Sequence, residues 1–223
     1  MMKAIWAIIK REIRINLGNG GGALLPSAFF AGSILILPFA LGPDNELLRK
    51  IGPGYLWLAL SLACLVSLER LFQSDLEDGS FESLIVGPVP LSIIMLSKIL
   101  GQYLAIIMPL LLAMPIASLM INIEIQYILP LCFQLAIGAL AMFLLGGIGS
   151  ALGAGIKRGG LLVALLALPL YTPIIIFGAG AAAQIIAGNG ISSQGFLLIC
   201  AITLFAIILS PLAIAAAMRL HID

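Results

Sequence analysis

Few residues in this chain could do chemistry, and most of them are in the wrong place for it. His221 is the only histidine and stands two positions before the last residue. No Ser–His–Asp set can be built except around it, and it reads as a solvated side chain rather than a metal or haem ligand. Cys64, Cys132 and Cys200 each fall inside an apolar stretch, and no pair has metal-site or CxxC spacing. They read as small packing residues. No GxxxxGK[ST] phosphate loop occurs. What remains is a concentration of carboxylates. Asp75, Glu77, Asp78 and Glu82 all lie in "SDLEDGSFESLIVGPVP", residues 74–90. Just before them come Glu69 and Arg70, which read as interfacial charges rather than a proton relay.

The surroundings of that acidic loop explain why it stands out. Of the 223 residues, 62% are hydrophobic and only 9% charged, and the mean hydropathy is +1.20. A soluble domain of this size needs more charge to cover its surface, so the surplus apolar surface faces lipid. A formal net charge of +1 points to neither nucleic acid nor an acidic substrate. Six runs are long enough to cross a bilayer, at about 23–42, 52–68, 93–120, 128–152, 160–184 and 196–218, and none alternates as a barrel strand does. The fold class expected is therefore an all-α integral membrane protein, a single six-helix domain over 1–223. Pro109, Pro115, Pro169, Pro173 and Pro211 interrupt the spans and read as packing kinks.

Basic residues set the expected orientation. Lys3, Lys10, Arg11, Arg14, Arg70, Lys98, Lys157, Arg158 and Arg219 fall on one side of this topology, and only Arg49 and Lys50 on the other. The positive-inside rule then places both termini and the acidic loop in the cytoplasm. "KAIWAIIKREIRINL", within 1–18, carries Ile5, Trp6, Ile9, Ile13 and Leu17 on one helical face with Lys3, Lys10, Arg11 and Arg14 beside it. That pattern predicts a helix lying in the membrane interface. A signal peptide would instead keep its charges ahead of its apolar core. In "GGIGSALGAG", 146–155, Gly149 and Gly153 have the spacing that lets two helix backbones approach closely.

The acidic loop itself reads as a small helix. Asp78 or Ser80 can cap it, Gly79 permits the tight entry, and Gly87-Pro88 ends it. Ser92 is the expected cap of the next span. Phe81, Leu84 and Ile85 share one face, while Asp75, Asp78 and Glu82 recur at i, i+3, i+7 on another. Such a helix fits a peg for a soluble partner, with Phe81, Leu84 and Ile85 as anchors and Asp78, Glu82 and Glu77 as an acidic rim for steering. A loop dipping Phe81 and Leu84 back into the interface fits it equally well.

"LEDGSFESLIVGPVP" followed by "LSKILGQ" resembles the cytoplasmic loop of ABC-2-type transporter permeases. With "GPDNELLRKIGPGYLWLALSLACLVSLER", "GIKRGGLLVALLALPLYTPIIIFG" and "LSPLAIAAAMRL", nearly the whole chain is similar to the cytochrome c maturation protein B family, the membrane subunit of the haem exporter. The resemblance implies six membrane helices with an N-terminal elbow helix, in the bacterial inner membrane. It implies a non-catalytic subunit, with ATP bound and hydrolysed by a separate cytoplasmic ABC ATPase. That partner would grip a coupling helix formed by Asp75, Glu77, Asp78, Gly79, Ser80, Phe81, Glu82, Leu84 and Ile85. Further implied partners are a second copy of the chain, a haem-handling membrane protein, a small single-span subunit and a periplasmic haem chaperone. The implied function is coupling of ATP hydrolysis to haem export or to release of the haem-loaded chaperone. Alternatives are an ABC-2 permease for another substrate and a scaffold without a transport path. No cofactor is expected on the chain itself. Haem enters as substrate of the complex, and Met108, Met114 and Met142 read as core residues before haem ligands.

Overall fold

The computed structural model describes residues 2–18, 22–42, 44–69, 71–85, 88–156 and 159–220, with Ser83 and Ile85 described for their backbone alone. Arg70, Gly87, Lys157, Arg158, His221 and the side chain of Ile85, all singled out above, lie outside the described residues.

Helix α1 (Met2–Leu17) precedes the first long helix, α2 (Leu24–Leu41), and α3 (Asn45–Leu68). Two short helices, α4 (Gln73–Glu77) and α5 (Ser80–Ile85), make the acidic loop. Then come α6 (Leu91–Met120), α7 (Ile128–Gly153), α8 (Gly159–Ile186) and α9 (Gln194–Arg219), with one 3-10 turn at Ile125–Tyr127. Six of these helices are long and apolar enough to cross a membrane, and no strand occurs among the described residues. In lipid this is the economical solution, since a helix satisfies its own backbone groups. All five prolines expected to interrupt spans lie inside the helices.

Two boundaries differ from the sequence reading. Helix α3 starts seven residues before the expected 52, because Asp44 caps it: its carboxylate accepts from Glu46 N and Leu47 N, each at 3.0 Å. The next span starts at Leu91 after Pro90, with no side-chain cap, so Ser92 does not take the capping role.

The core sits between α3, α7 and α8. Trp57 of α3 is fully buried and wedged between Gly138 of α7 and Gly178 of α8. A Cβ on either glycine would overlap the indole ring. Tyr171 of α8 fills the equivalent notch at Gly146. Lipid offers no hydrophobic gain for bringing helices together, so such close fitting and cross-helix hydrogen bonds must hold them. Several polar side chains reach a neighbouring helix's carbonyl: Ser150 Oγ donates to Leu68 O at 2.7 Å, Tyr55 Oη to Ser33 O at 3.0 Å, Tyr103 Oη to Ala136 O at 3.1 Å. Gly149 and Gly153 face α8, where an added Cβ would lie 3.4 Å from Val163 O and 2.9 Å from Gly159 O respectively. Cys64 is buried, Cys132 and Cys200 half-buried, and all three are free thiols.

The two ends of the bundle are chemically different. At one end Arg49 reaches Glu124 at 3.5 Å and donates to Ile186 O at 3.2 Å, joining the connections around α3, α6 and α8. At the other end α1 packs along α6, and α4 and α5 fold against them. Helices α3 and α6, which flank the acidic loop, make little contact with each other.

Candidate functional site

Under the acidic loop lies a cluster of buried charge. On α6, Lys98, Gly101 and Gln102 share one face. Gly101 admits the α1 backbone: a Cβ there would come within 2.5 Å of Glu12 Cβ and 3.1 Å of Ile9 O. That approach brings Glu12 beside Lys98, whose Nζ donates to Glu12 Oε1 at 2.8 Å. Lys98 also pairs with Asp75 of α4. Arg11 closes the set, 3.1 Å from Glu12 Oε1 and 3.4 Å from Asp75 Oδ1, and Ser80 Oγ of α5 donates to Asp75 Oδ1 at 3.0 Å. Lys98 is 1%, Asp75 3% and Glu12 4% exposed.

Two cations face two carboxylates, so the cluster is neutral as a whole. Taking each ion out of water costs several kcal/mol, and only close pairing with further hydrogen bonds offsets that. The geometry meets this condition. The cluster therefore acts as a clamp that holds helix α1, the loop helix α4 and the span α6 in one arrangement. A neighbouring bond extends it to α3, where Gln102 Nε2 donates to Ser67 O at 2.9 Å.

Asp75, expected on the outward acidic face and in the coupling interface, turns inward because Lys98 and Arg11 wait beneath. Phe81, expected as an outward anchor, is 3% exposed and joins the chain's own core with Leu71 and Phe72. The apolar side of a loop helix covers the nearest apolar surface, and here that surface is the bundle itself. Leu84 is half-buried against the same core. Glu77, Asp78, Gly79 and Glu82 are exposed, and Ser80 is half-buried. What the loop presents outward is accordingly acidic, with Gln73 Nε2 holding Glu77 Oε1 at 2.7 Å.

The turn between α4 and α5 forms as its residues suggest. Gly79 adopts φ +72°, which favours glycine. Asp78 Oδ1 accepts from Ser80 N at 2.9 Å. The Ser80 hydroxyl and backbone N–H beside Asp78 hold its carboxyl below the usual aspartate range, with Arg11 and Lys98 adding to the effect. A lowered folded-state pKa means that the cap is fully present above the unfolded value, about 3.9, and is lost as pH falls through the lowered one. Hydrogen-exchange protection of the Ser80 amide is expected to stay level from pH 7 to about 4 and to collapse below. Asp78→Asn, which caps without titrating, should abolish the acid step.

Helix α1 has three faces where the sequence suggested two. Ile9, Glu12 and Asn16 are buried against the bundle, Trp6 and Leu17 are exposed on an apolar side, and Lys3, Lys10 and Arg14 are exposed on a cationic one. Arg11 turns to the clamp. Glu12 and Asn16 sit within the helix's apolar half, and that misplacement of polar residues was the available signal of a buried partner. Elsewhere, Met114 and Met142 are fully buried, while Met108 is 56% exposed on the bundle's outer face.

Comparison with known proteins places this arrangement in a family. The model of the CcmB protein family matches residues 3–221. Heme exporter protein B of Bradyrhizobium diazoefficiens is 40% identical, with all of both chains aligned. The protein of that name from Pseudomonas aeruginosa is also 40% identical, over 96% of each chain. That from Escherichia coli K12 is 35% identical over 98% of this chain and 99% of its own.

Proposed function

This chain belongs to the CcmB protein family, and from that premise we propose that it is the membrane subunit of a haem exporter, driven through its acidic loop by a separate ATPase subunit. It is a multi-pass membrane protein with six apolar helices, and its relatives are named as transporter components. In this reading both termini and the loop are cytoplasmic, in the bacterial inner membrane, and ATP is bound by a partner chain. A second copy of the chain, a haem-handling membrane protein with a small single-span subunit, and a haem chaperone complete the assembly. The outcome of the cycle is haem export, or release of the haem-loaded chaperone.

The observation that carries the coupling reading is the clamp. A loop that transmits motion must not absorb it. Asp75 is tied by ion pairs to α6 and α1, and Phe72 and Phe81 are keyed into the core. A push on the exposed carboxylates is therefore delivered to the spans. Nucleotide state can bias the membrane part only through differential binding at this surface. The surface offers Glu77, Asp78 and Glu82 for affinity and register, with Leu84 and Gly79 beside them. It calls for a basic patch on the ATPase.

The test is charge reversal outside the clamp. Glu77→Lys combined with Glu82→Lys should lower co-purification of the ATPase subunit at least about tenfold, and recovery with the parent chain should fall as salt is raised from about 50 to 500 mM. Full recovery of the ATPase with the reversed loop would remove this docking surface. A haem-uptake assay in sealed vesicles holding the whole complex then separates a transport path from a scaffold.

A further inference from the structure

Beside the clamp, between the end of α1, the start of α2, the end of α3 and α6, lies a cavity of about 450 Å³. Its inner wall is polar and buried: Glu12, Asn16, Ser67 and Gln102. Glu69 stands on another wall, with its carboxylate against Gly160 at the start of α8. Among the described residues no cation lines the cavity and none pairs with Glu69. The rim is apolar, with Ile15 and Leu25 53% and 66% exposed. Helix α2 has 18 residues, about 27 Å at 1.5 Å per residue, close to the roughly 30 Å of a hydrocarbon layer. Its first turn, which carries Leu25 and Pro26, therefore meets the boundary between acyl chains and headgroups.

We propose that this cavity binds one phospholipid through a primary-ammonium headgroup, that is, a phosphatidylethanolamine. An occupant at this depth must be amphiphilic, since a polar wall and an apolar rim face it together. The wall carries the Glu69 carboxylate and the amide and hydroxyl oxygens of Asn16, Gln102 and Ser67, so it accepts hydrogen bonds from N–H donors. A choline head has no N–H to give, and an anionic glycerol head meets the Glu69 carboxylate. The assignment is independent of the partner that docks on the acidic loop.

Native mass spectrometry of the purified chain tests it, with dioleoyl phosphatidylethanolamine, phosphatidylcholine and phosphatidylglycerol offered at equal concentration. One ethanolamine lipid should be retained at least fivefold over either rival. Glu69→Gln, and separately Leu25→Trp to fill the mouth, should bring retention down to the choline level. Glu124→Gln, at the opposite end of the bundle, should leave it unchanged. Equal retention of the three lipids, or full retention by Glu69→Gln, overturns the proposal. So does release of the lipid by millimolar free ethanolamine, which would assign the cavity to a soluble amine. Glu69 is exposed and the change to Gln is isosteric, so that variant decides the matter even if the tryptophan variant does not fold.

Discussion

Lys98→Met should destabilise the chain by about 3–5 kcal/mol, the usual cost of removing one partner from a buried ion pair. The methionine fills the space of the lysine stem but leaves Glu12 and Asp75 buried side by side with Arg11 as their only cation. Arg11 is itself half in solvent, and its contacts at 3.1 and 3.4 Å are longer than those Lys98 makes. The measurement is thermal unfolding of the purified protein in one detergent, read alongside ATPase recovery. A double change of Glu12→Gln and Asp75→Asn on the Lys98→Met background should restore much of the loss, because the one charge then left, Arg11, is half in solvent and no carboxylate stays buried without a cation. The restored protein also separates stability from coupling. It folds, but its loop is no longer gripped, so the ATPase should still bind while export by the complex falls. A Lys98→Met protein as stable as the parent would show that the clamp is not closed in the membrane.

The second large effect is expected at the glycine notch. Gly138→Ala adds a single methyl group where the Trp57 ring already lies. Overpacking of a close-fitted core costs typically about 1–3 kcal/mol, and here the obstruction is a rigid indole rather than a flexible chain end. Gly178→Ala meets the other face of the same ring and should behave alike. Trp57→Leu vacates the notch, so the pair Trp57→Leu with Gly138→Ala should be more stable than the two single losses added together. Unfolding midpoints of the four proteins give the coupling directly. Strict additivity would mean that the ring and the glycine are not in contact.

Much of the architecture was legible because lipid simplifies the reading. A helix that must span an apolar layer announces itself by length, and the six spans came out within a few residues, apart from the start of α3, where one cap at Asp44 outweighed the composition that follows. The turn at Asp78-Gly79-Ser80 was equally readable, since it depends on three adjacent residues. The direction the loop faces was not. A short helix with one apolar and one acidic side satisfies a docking peg and an inward plug alike, and periodicity does not say which apolar surface lies nearest. Phe81 found its partner in the chain itself. Asp75 belongs to the acidic stripe by spacing, yet its cations stand 64 and 23 positions away, on α1 and α6. Lys98 read as a charge near a span's end for the same reason: Glu12, its nearest carboxylate across α1, lies 86 residues earlier. Only the close approach at Gly101 brings them together, and a lone glycine inside an apolar run is too weak a sign to predict it.

The scant contact between α3 and α6 has a mechanical meaning. The loop between them does not cap a solid column; it straddles a seam. On one bank α3 is locked to α8 by the Trp57 wedge, and on the other α6 carries α1 as a passenger through Glu12. A thrust at the loop therefore reaches two banks that touch each other directly through little more than the Gln102–Ser67 bond and are joined through α2 and α7, each packed on both. Load that enters at the loop is thus shared by the two helices flanking the seam rather than carried between them.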